Sequence, residues 1–159
     1  MTGMDFRMII AEIVFVVCIL AATISDIRTG QVYRFLWWIA EGCALVRIIC
    51  NGVGITLWPE FAVYFLIQEA LFARFYGRAD VRAFEAFAMM LCSGGFGLRY
   101  ALYHMYLSFL LLALVQAFRR NIDRKGNLKQ PVAFIPYITI AFFLLIFLLE
   151  SAIVNNVLK

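Results

Sequence analysis

Two aspartates, Asp26 and Asp80, are the residues of this chain best suited to chemistry, although more than fifty residues separate them. Two carboxyl groups held close together do not both ionise readily, so one keeps its proton while the other stays charged. The charged carboxylate removes a proton from water, and the neutral carboxyl group protonates or polarises a scissile carbonyl group. Such a pair is the minimal apparatus for hydrolysing a peptide bond without a metal ion or a nucleophilic side chain.

The sequence contains no competing catalytic motif. His104 is the single histidine, no serine lies in a G-x-S-x-G sequence, and no H-E-x-x-H sequence occurs. The cysteines Cys18, Cys43, Cys50 and Cys92 are scattered through apolar runs and form no C-x-x-C pair. We therefore expect no zinc site and no other cofactor, and we interpret the cysteines as small hydrophobic residues within helices.

The composition predicts an all-α integral membrane protein. Hydrophobic residues make up 65% of the chain, charged residues 15%, and the mean hydropathy is +0.90, whereas soluble domains are about half apolar and about a quarter charged. We expect one domain over residues 1–159, with six transmembrane helices, because a span needs about 20 apolar residues. The six predicted segments are 8–25, 33–50, 55–76, 81–95, 98–118 and 132–154.

Basic residues concentrate in the first, third and fifth connections between these segments. They are Arg28, Arg34, Arg74, Arg78, Arg82, Arg119, Arg120, Arg124, Lys125 and Lys129. The positive-inside rule places these connections in the cytoplasm and both termini outside, in a multi-pass protein of the cytoplasmic (inner) membrane. Asp26 and Asp80 then lie at the same cytoplasmic boundary. The net charge of +4 is explained by this topology and by lipid headgroups, so we expect a lipid bilayer and no nucleic acid as partner.

Three short motifs occur in a fixed order along the chain. Asp26 lies in "SDIRTGQVYRFL", Asp80 lies in "YGRADVRAF", and Pro136 lies in "VAFIPYITIAFF". In this order, and with six predicted helices, the motifs resemble those of the type IV prepilin peptidases, a family of intramembrane-type aspartyl proteases of the G-x-G-D group. The third motif resembles the apolar segment with a central proline that opens the last helix of that family.

The second motif resembles G-x-G-D-x-K with two departures. Gly77 and Asp80 match the pattern, while Ala79 replaces the second glycine and Arg82 replaces the lysine. In the first motif, residues 32–34 read Val-Tyr-Arg where the family usually has Ile-Pro-Asn. If the backbone at position 79 needed a positive φ, alanine would cost about 1 kcal/mol or more relative to glycine.

The resemblance implies a fold, an activity and a partner. It implies that Asp26 and Asp80 are the catalytic residues, with Gly77, Ala79 and Arg82 in support. It implies an endopeptidase that removes the basic leader of a pilin-like precursor after a glycine at the cytoplasmic boundary, without a cofactor. The chain resembles the short form of the family, without the N-terminal zinc-binding domain that is linked to N-methylation.

Helix dipoles suggest roles for the two aspartates. Asp26 is expected at the C-terminal end of the first helix, where ionisation is disfavoured. Asp80 is expected to be the N-cap of the fourth helix, where a negative charge is favoured. We therefore expect Asp80 to be the resting base and Asp26 to be the protonated acid.

Other interpretations remain open from the sequence. A catalytically inactive relative could serve as a membrane scaffold of a pilus or secretion system, and a proton-coupled carrier would use the intramembrane acids Glu12, Glu41 and Glu69. Arg82 is interpreted as a cytoplasmic anchor, or alternatively as a cation that acts on the aspartate pair. We also expect Glu12 to pair with Arg47 across the first two helices.

Overall fold

The computed structural model describes residues 3–52, 54–122 and 133–157. Over these ranges the chain forms six α-helices and no strand, with a short 3-10 helix at Phe72–Arg74. The α-helices are α1 (Gly3–Thr29), α2 (Arg34–Asn51), α3 (Gly54–Ala70), α4 (Arg78–Ser93), α5 (Leu98–Ile122) and α6 (Ile135–Val157). The predicted all-helical architecture is confirmed. The predicted cytoplasmic residues Arg124, Lys125 and Lys129 lie outside the described residues.

Helix α4 occupies the centre of the bundle and packs against α2, α3, α5 and α6. Phe84 and Phe87 of this helix are completely buried. The Phe87 ring contacts Phe142 of α6 at a centroid distance of 4.5 Å and Phe15 of α1 at 5.7 Å. Because α4 is surrounded by other helices, the residues of its first turn are held in a fixed position.

The outer surface of the bundle is strongly apolar. Large hydrophobic side chains are exposed on every outer helix, including Ile13 on α1, Leu66 on α3 and Phe147 on α6. Among the described residues, two helical stretches are long and apolar enough to cross a bilayer. They are Phe6–Thr29, with a mean hydropathy of 2.6, and Leu98–Arg119, with a mean hydropathy of 1.7.

Polar contacts define the end of the bundle that lies away from the two aspartates. Arg47 of α2 and Glu12 of α1 form an ion pair of 2.8 Å, as the sequence predicted. Nearby, the Asn51 side-chain amide donates a hydrogen bond of 2.9 Å to the carbonyl oxygen of Ser93, which joins the last residues of α2 and α4. These contacts satisfy groups that would be costly in an apolar environment.

The third predicted segment is wrong in its extent. It was expected to continue to Tyr76, but α3 ends at Ala70 and the chain passes through the 3-10 turn before α4 begins. The reason lies in the packing of Tyr76, whose ring contacts Phe84, Phe109 and Phe134 inside the bundle. The chain must turn inward before α4 to place this ring.

Candidate active site

Asp26 lies in the last turn of α1, which ends at Thr29. Gly30 adopts the left-handed conformation with a φ of 64°, and its amide donates a hydrogen bond of 2.9 Å to the carbonyl oxygen of Asp26. Glycine takes this conformation without steric cost, and it commonly ends helices. The motif "SDIRTG" therefore encodes both the carboxylate and the helix end that exposes it.

The Asp26 carboxylate contacts the first residue of α6. The backbone amide of Ile135 donates a hydrogen bond to Oδ2 of Asp26 at 3.2 Å. Pro136 is the second residue of α6, where its missing N–H costs no helical hydrogen bond. A second link between the same two helices joins the hydroxyl groups of Thr23 and Thr139 at 3.0 Å. The first and third motifs are thus in direct contact.

Asp80 is the third residue of α4 and not its N-cap, so the sequence expectation is wrong on this point. The N-cap is Gly77, with φ −62° and ψ 154°, and its carbonyl oxygen accepts hydrogen bonds from the amides of Asp80 and Val81 at 3.0 and 3.3 Å. The helix starts earlier because Arg78 and Ala79 are good helix formers. Asp80 still lies in the first turn, where the helix dipole favours its charge.

The structure brings the two aspartates close enough to interact. Asp80 directly precedes the predicted fourth span, and its pKa is raised to about 6. Burial is the main cause, the negative charge of Asp26 adds to it, and a hydrogen bond from the Gly77 backbone opposes it. A raised pKa near a second carboxylate is the behaviour expected of two carboxyl groups that compete for one proton.

The surroundings of the two aspartates argue against the roles expected from the sequence. The argument from the sequence considered only the α1 dipole at Asp26, which disfavours charge. The amide at the N-terminus of α6 acts in the opposite sense, because it donates a hydrogen bond to the Asp26 carboxylate. Burial raises the pKa of Asp26 as well, and hydrogen bonds from the backbone of Ile135 and Phe134 oppose that rise. The pKa of Asp80 rises to about 6. The arrangement therefore favours a charged Asp26 and a protonated Asp80.

Ala79 causes no backbone strain, because it lies within the first turn of α4. Among the described residues, only Gly30, Gly52 and Gly95 have a positive φ. The loss of glycine's conformational freedom at this position is therefore of no consequence for the fold. Alanine is the better residue in a helix by about 1 kcal/mol.

Replacing Ala79 with glycine is expected to lower the free energy of unfolding by about 0.5–1 kcal/mol. The matched variant Gly77→Ala is expected to change it little, because any residue adopts the Gly77 conformation and an added Cβ would meet Oδ2 of Asp80 at 3.6 Å, an ordinary contact. Thermal unfolding in detergent measures both variants. A gain in stability for Ala79→Gly would show that the position needs glycine.

Replacing Asp80 with asparagine is expected to stabilise the fold at pH 8 and to have little effect at pH 3. An aspartate with a folded pKa of about 6 and an ordinary value of 3.8 binds its proton more tightly when folded, so wild-type stability falls as the pH rises through this range. Asparagine does not titrate. At pH 8 the free energy of unfolding rises by about 1–2 kcal/mol, a value reduced from the full pKa shift because Asp80 is partly exposed. Unfolding at the two pH values tests this, and an equal change at both would contradict it.

Arg82 faces three carboxylates and neither aspartate of the pair. Its guanidinium lies 3.0 Å from Glu69, 3.1 Å from Glu85 and 3.5 Å from Glu41. These contacts do not test the interpretation of Arg82 as a cytoplasmic anchor, and within the described residues no ion pair joins Arg82 to Asp80. Arg82 holds α2, α3 and α4 together next to the site.

Tyr76 is a residue of the site that no sequence motif singled out. Its hydroxyl group is buried and has no hydrogen-bond partner within the described part of the chain. The ring lies against Phe134, which directly precedes the Ile135 amide that binds Asp26, and Tyr76 itself is one turn before Asp80. Tyr76 therefore lies between the start of α6, which binds Asp26, and the start of α4, which carries Asp80. In a chain with 7 tyrosines, nothing local marks this one.

No protein-family model, no curated protein and no solved structure matches this chain.

Proposed function

We propose that this protein is an aspartyl endopeptidase of the cytoplasmic membrane that removes the leader of pilin-like precursors. One observation carries the proposal: burial raises the pKa of Asp80 to about 6, and the charge of Asp26, remote in sequence, adds to this rise. A carboxylate pair of this kind supports the activation of water for attack on a peptide bond. The ordered motifs around both aspartates supply the substrate class.

The contacts suggest how the two carboxyl groups divide the reaction. Asp26, with its charge stabilised by the Ile135 amide, takes a proton from the attacking water. Asp80 holds a proton near pH 6 and donates it toward the scissile carbonyl oxygen or the leaving amine. The free hydroxyl group of Tyr76 is a suitable donor to the oxyanion that develops. This assignment reverses the one expected from the sequence.

The apolar surface of the bundle supports the proposal that the protein spans a membrane several times. Its exposed large side chains are apolar, and two helices meet the length and hydropathy of a span. We propose six spans with the termini outside and the aspartate pair at the cytoplasmic boundary. The basic residues of the first and third connections lie at the same end of the bundle as the pair, which supports this orientation.

The rival interpretations lose some of their support. The inactive scaffold was suggested by Ala79 and by the missing Pro-Asn of the first motif. A helical alanine at position 79 costs nothing, which removes the first of these two reasons. The proton-coupled carrier was favoured by three intramembrane acids. Glu12 now has Arg47 as partner, and Glu41 and Glu69 share Arg82, so each acid has a structural explanation.

Co-expression with a pilin-like precursor from the same organism tests the proposal. The precursor needs a basic leader, a glycine at the junction and an apolar segment after it. We expect the wild-type protein to shorten the precursor by its leader, which mass spectrometry of the new N-terminus identifies. An uncleaved precursor that nevertheless copurifies with the protein would support the scaffold instead.

A further inference from the structure

A cavity of about 390 Å³ opens at the same end of the bundle as the aspartate pair, and it is separate from that pair because neither aspartate lines it. Its wall carries the guanidinium groups of Arg34, Arg78 and Arg82 and the single carboxylate of Glu69. The formal charge of the wall is therefore positive. The proposed peptidase reaction uses none of these four side chains.

Two of the three arginines are available to a ligand. Arg82 is held by Glu69 at 3.0 Å, and its other two carboxylate partners do not line the cavity. Arg34 and Arg78 are exposed, and no carboxylate of the described residues lies within 4.0 Å of either. A pair of free guanidinium groups on one concave wall favours an anion with several acceptor oxygens.

Two helices begin at this cavity. Arg34 is the first residue of α2 and Arg78 is the first residue of α4, and neither N-cap residue makes a side-chain hydrogen bond to its helix. The first turn of α2 contains no acidic residue. Helix N-termini present unsatisfied amides and a partial positive charge, so the start of α2 favours an anion. At the start of α4, the Asp80 carboxylate already accepts a hydrogen bond from the Gly77 backbone.

A buried donor without a partner also belongs to this cavity. Trp37 lines the wall, its side chain is only 2% exposed, and its Nε1 has no hydrogen-bond acceptor among the described residues. Leaving such a donor unpaired is costly, so buried N–H groups usually have a partner. A ligand oxygen in the cavity would supply the missing acceptor.

We propose that this cavity binds a phosphate group, held by Arg34, Arg78, the Trp37 indole and the amides that begin α2. The group comes from a phospholipid headgroup or from free phosphate. A headgroup fits the location, because Trp38 on the same wall is 68% exposed, as tryptophans at a membrane interface are. The proposal is independent of the peptidase activity.

Tryptophan fluorescence of the purified protein, in detergent free of phospholipid, measures binding directly. The chain has 3 tryptophans, and the Trp58→Phe background leaves only the two that line the cavity. The probes are inorganic phosphate and water-soluble dihexanoyl phosphatidic acid. We expect a saturable change with at least one of them. A change with the lipid alone identifies a headgroup site, and a change with both identifies a site that also accepts free phosphate.

Variants separate a built site from general surface charge. We expect Arg34→Gln with Arg78→Gln to weaken binding at least about tenfold, and Trp37→Phe to weaken it several-fold. Arg28→Gln removes an exposed arginine at the same end that does not line the cavity, so binding should be unchanged. Circular dichroism checks folding, and the single arginine variants replace the double one if it does not fold. No saturable change with either probe, or an equal loss in Arg28→Gln, overturns the proposal.

Discussion

Replacing either Asp26 or Asp80 with asparagine is expected to lower the rate of leader cleavage by about 10³-fold or more, with the helical content unchanged. The reason is that the pair acts as a unit: one carboxyl group takes the proton of water while the other supplies one, and asparagine does neither. Purified variants in lipid vesicles, with the precursor as substrate and mass spectrometry of the product, give the rates.

A matched control accompanies these variants. Glu60→Gln makes the same change from carboxylate to amide at an exposed position near the start of α3, at the other end of the bundle, and we expect it to cleave like the wild type. Because single losses in a unit are not additive, the double variant should be no slower than either single one. Cleavage that survives Asp26→Asn or Asp80→Asn would show that the pair does not carry out the reaction.

Replacing Arg82 with glutamine is expected to destabilise the fold more than any other single loss of charge. Three carboxylates on three helices share this guanidinium, and the Glu85 side chain is only 6% exposed. Removing the cation leaves these carboxylates without a partner. Such a loss costs about 3–5 kcal/mol for a fully buried ion pair. Because Arg82 is 43% exposed, we expect a loss of about 2 kcal/mol in the free energy of unfolding. Thermal unfolding in detergent measures the loss.

Two further variants separate this cluster from surface charge in general. Arg74→Gln removes an exposed arginine of the neighbouring turn that has no ion pair in the described part of the chain, and stability should stay within about 0.5 kcal/mol of the wild type. Adding Glu85→Gln to Arg82→Gln should recover part of the loss, because it removes the most buried of the orphaned carboxylates. An Arg82→Gln variant as stable as Arg74→Gln would contradict this account.

The sequence predicts the helices well because apolar runs of span length leave few alternatives. It fails where packing overrides local preference, as at Tyr76, whose ring is buried in the bundle and forces the chain to turn before α4. No pattern around residues 70–77 marks that turn. The fourth helix was predicted over residues 81–95 and runs from Arg78 to Ser93, and its burial follows only from the arrangement of its neighbours.

The candidate site, too, could be predicted only in part from the sequence. Asp26 and Asp80 were identified from their motifs, and the topology placed both at one end of the bundle. Their electrical environment was not predictable, because the amide that binds Asp26 belongs to Ile135, 109 positions along the chain. Helix α4 begins at Arg78 instead of Val81, which moves Asp80 from the N-cap to the first turn. The assignment of acid and base depended on both details.

The central claim is that Asp26 and Asp80 form one coupled pair, and the pKa of Asp80 tests it most directly. Carbon-13 NMR of the labelled aspartate carboxyl groups, in wild type and in Asp26→Asn, measures this pKa without any substrate. We predict a value of about 6 in the wild type and a clearly lower value in Asp26→Asn, because the charge of Asp26 is then absent. An Asp80 pKa that stays the same in Asp26→Asn would show that the two carboxyl groups are independent.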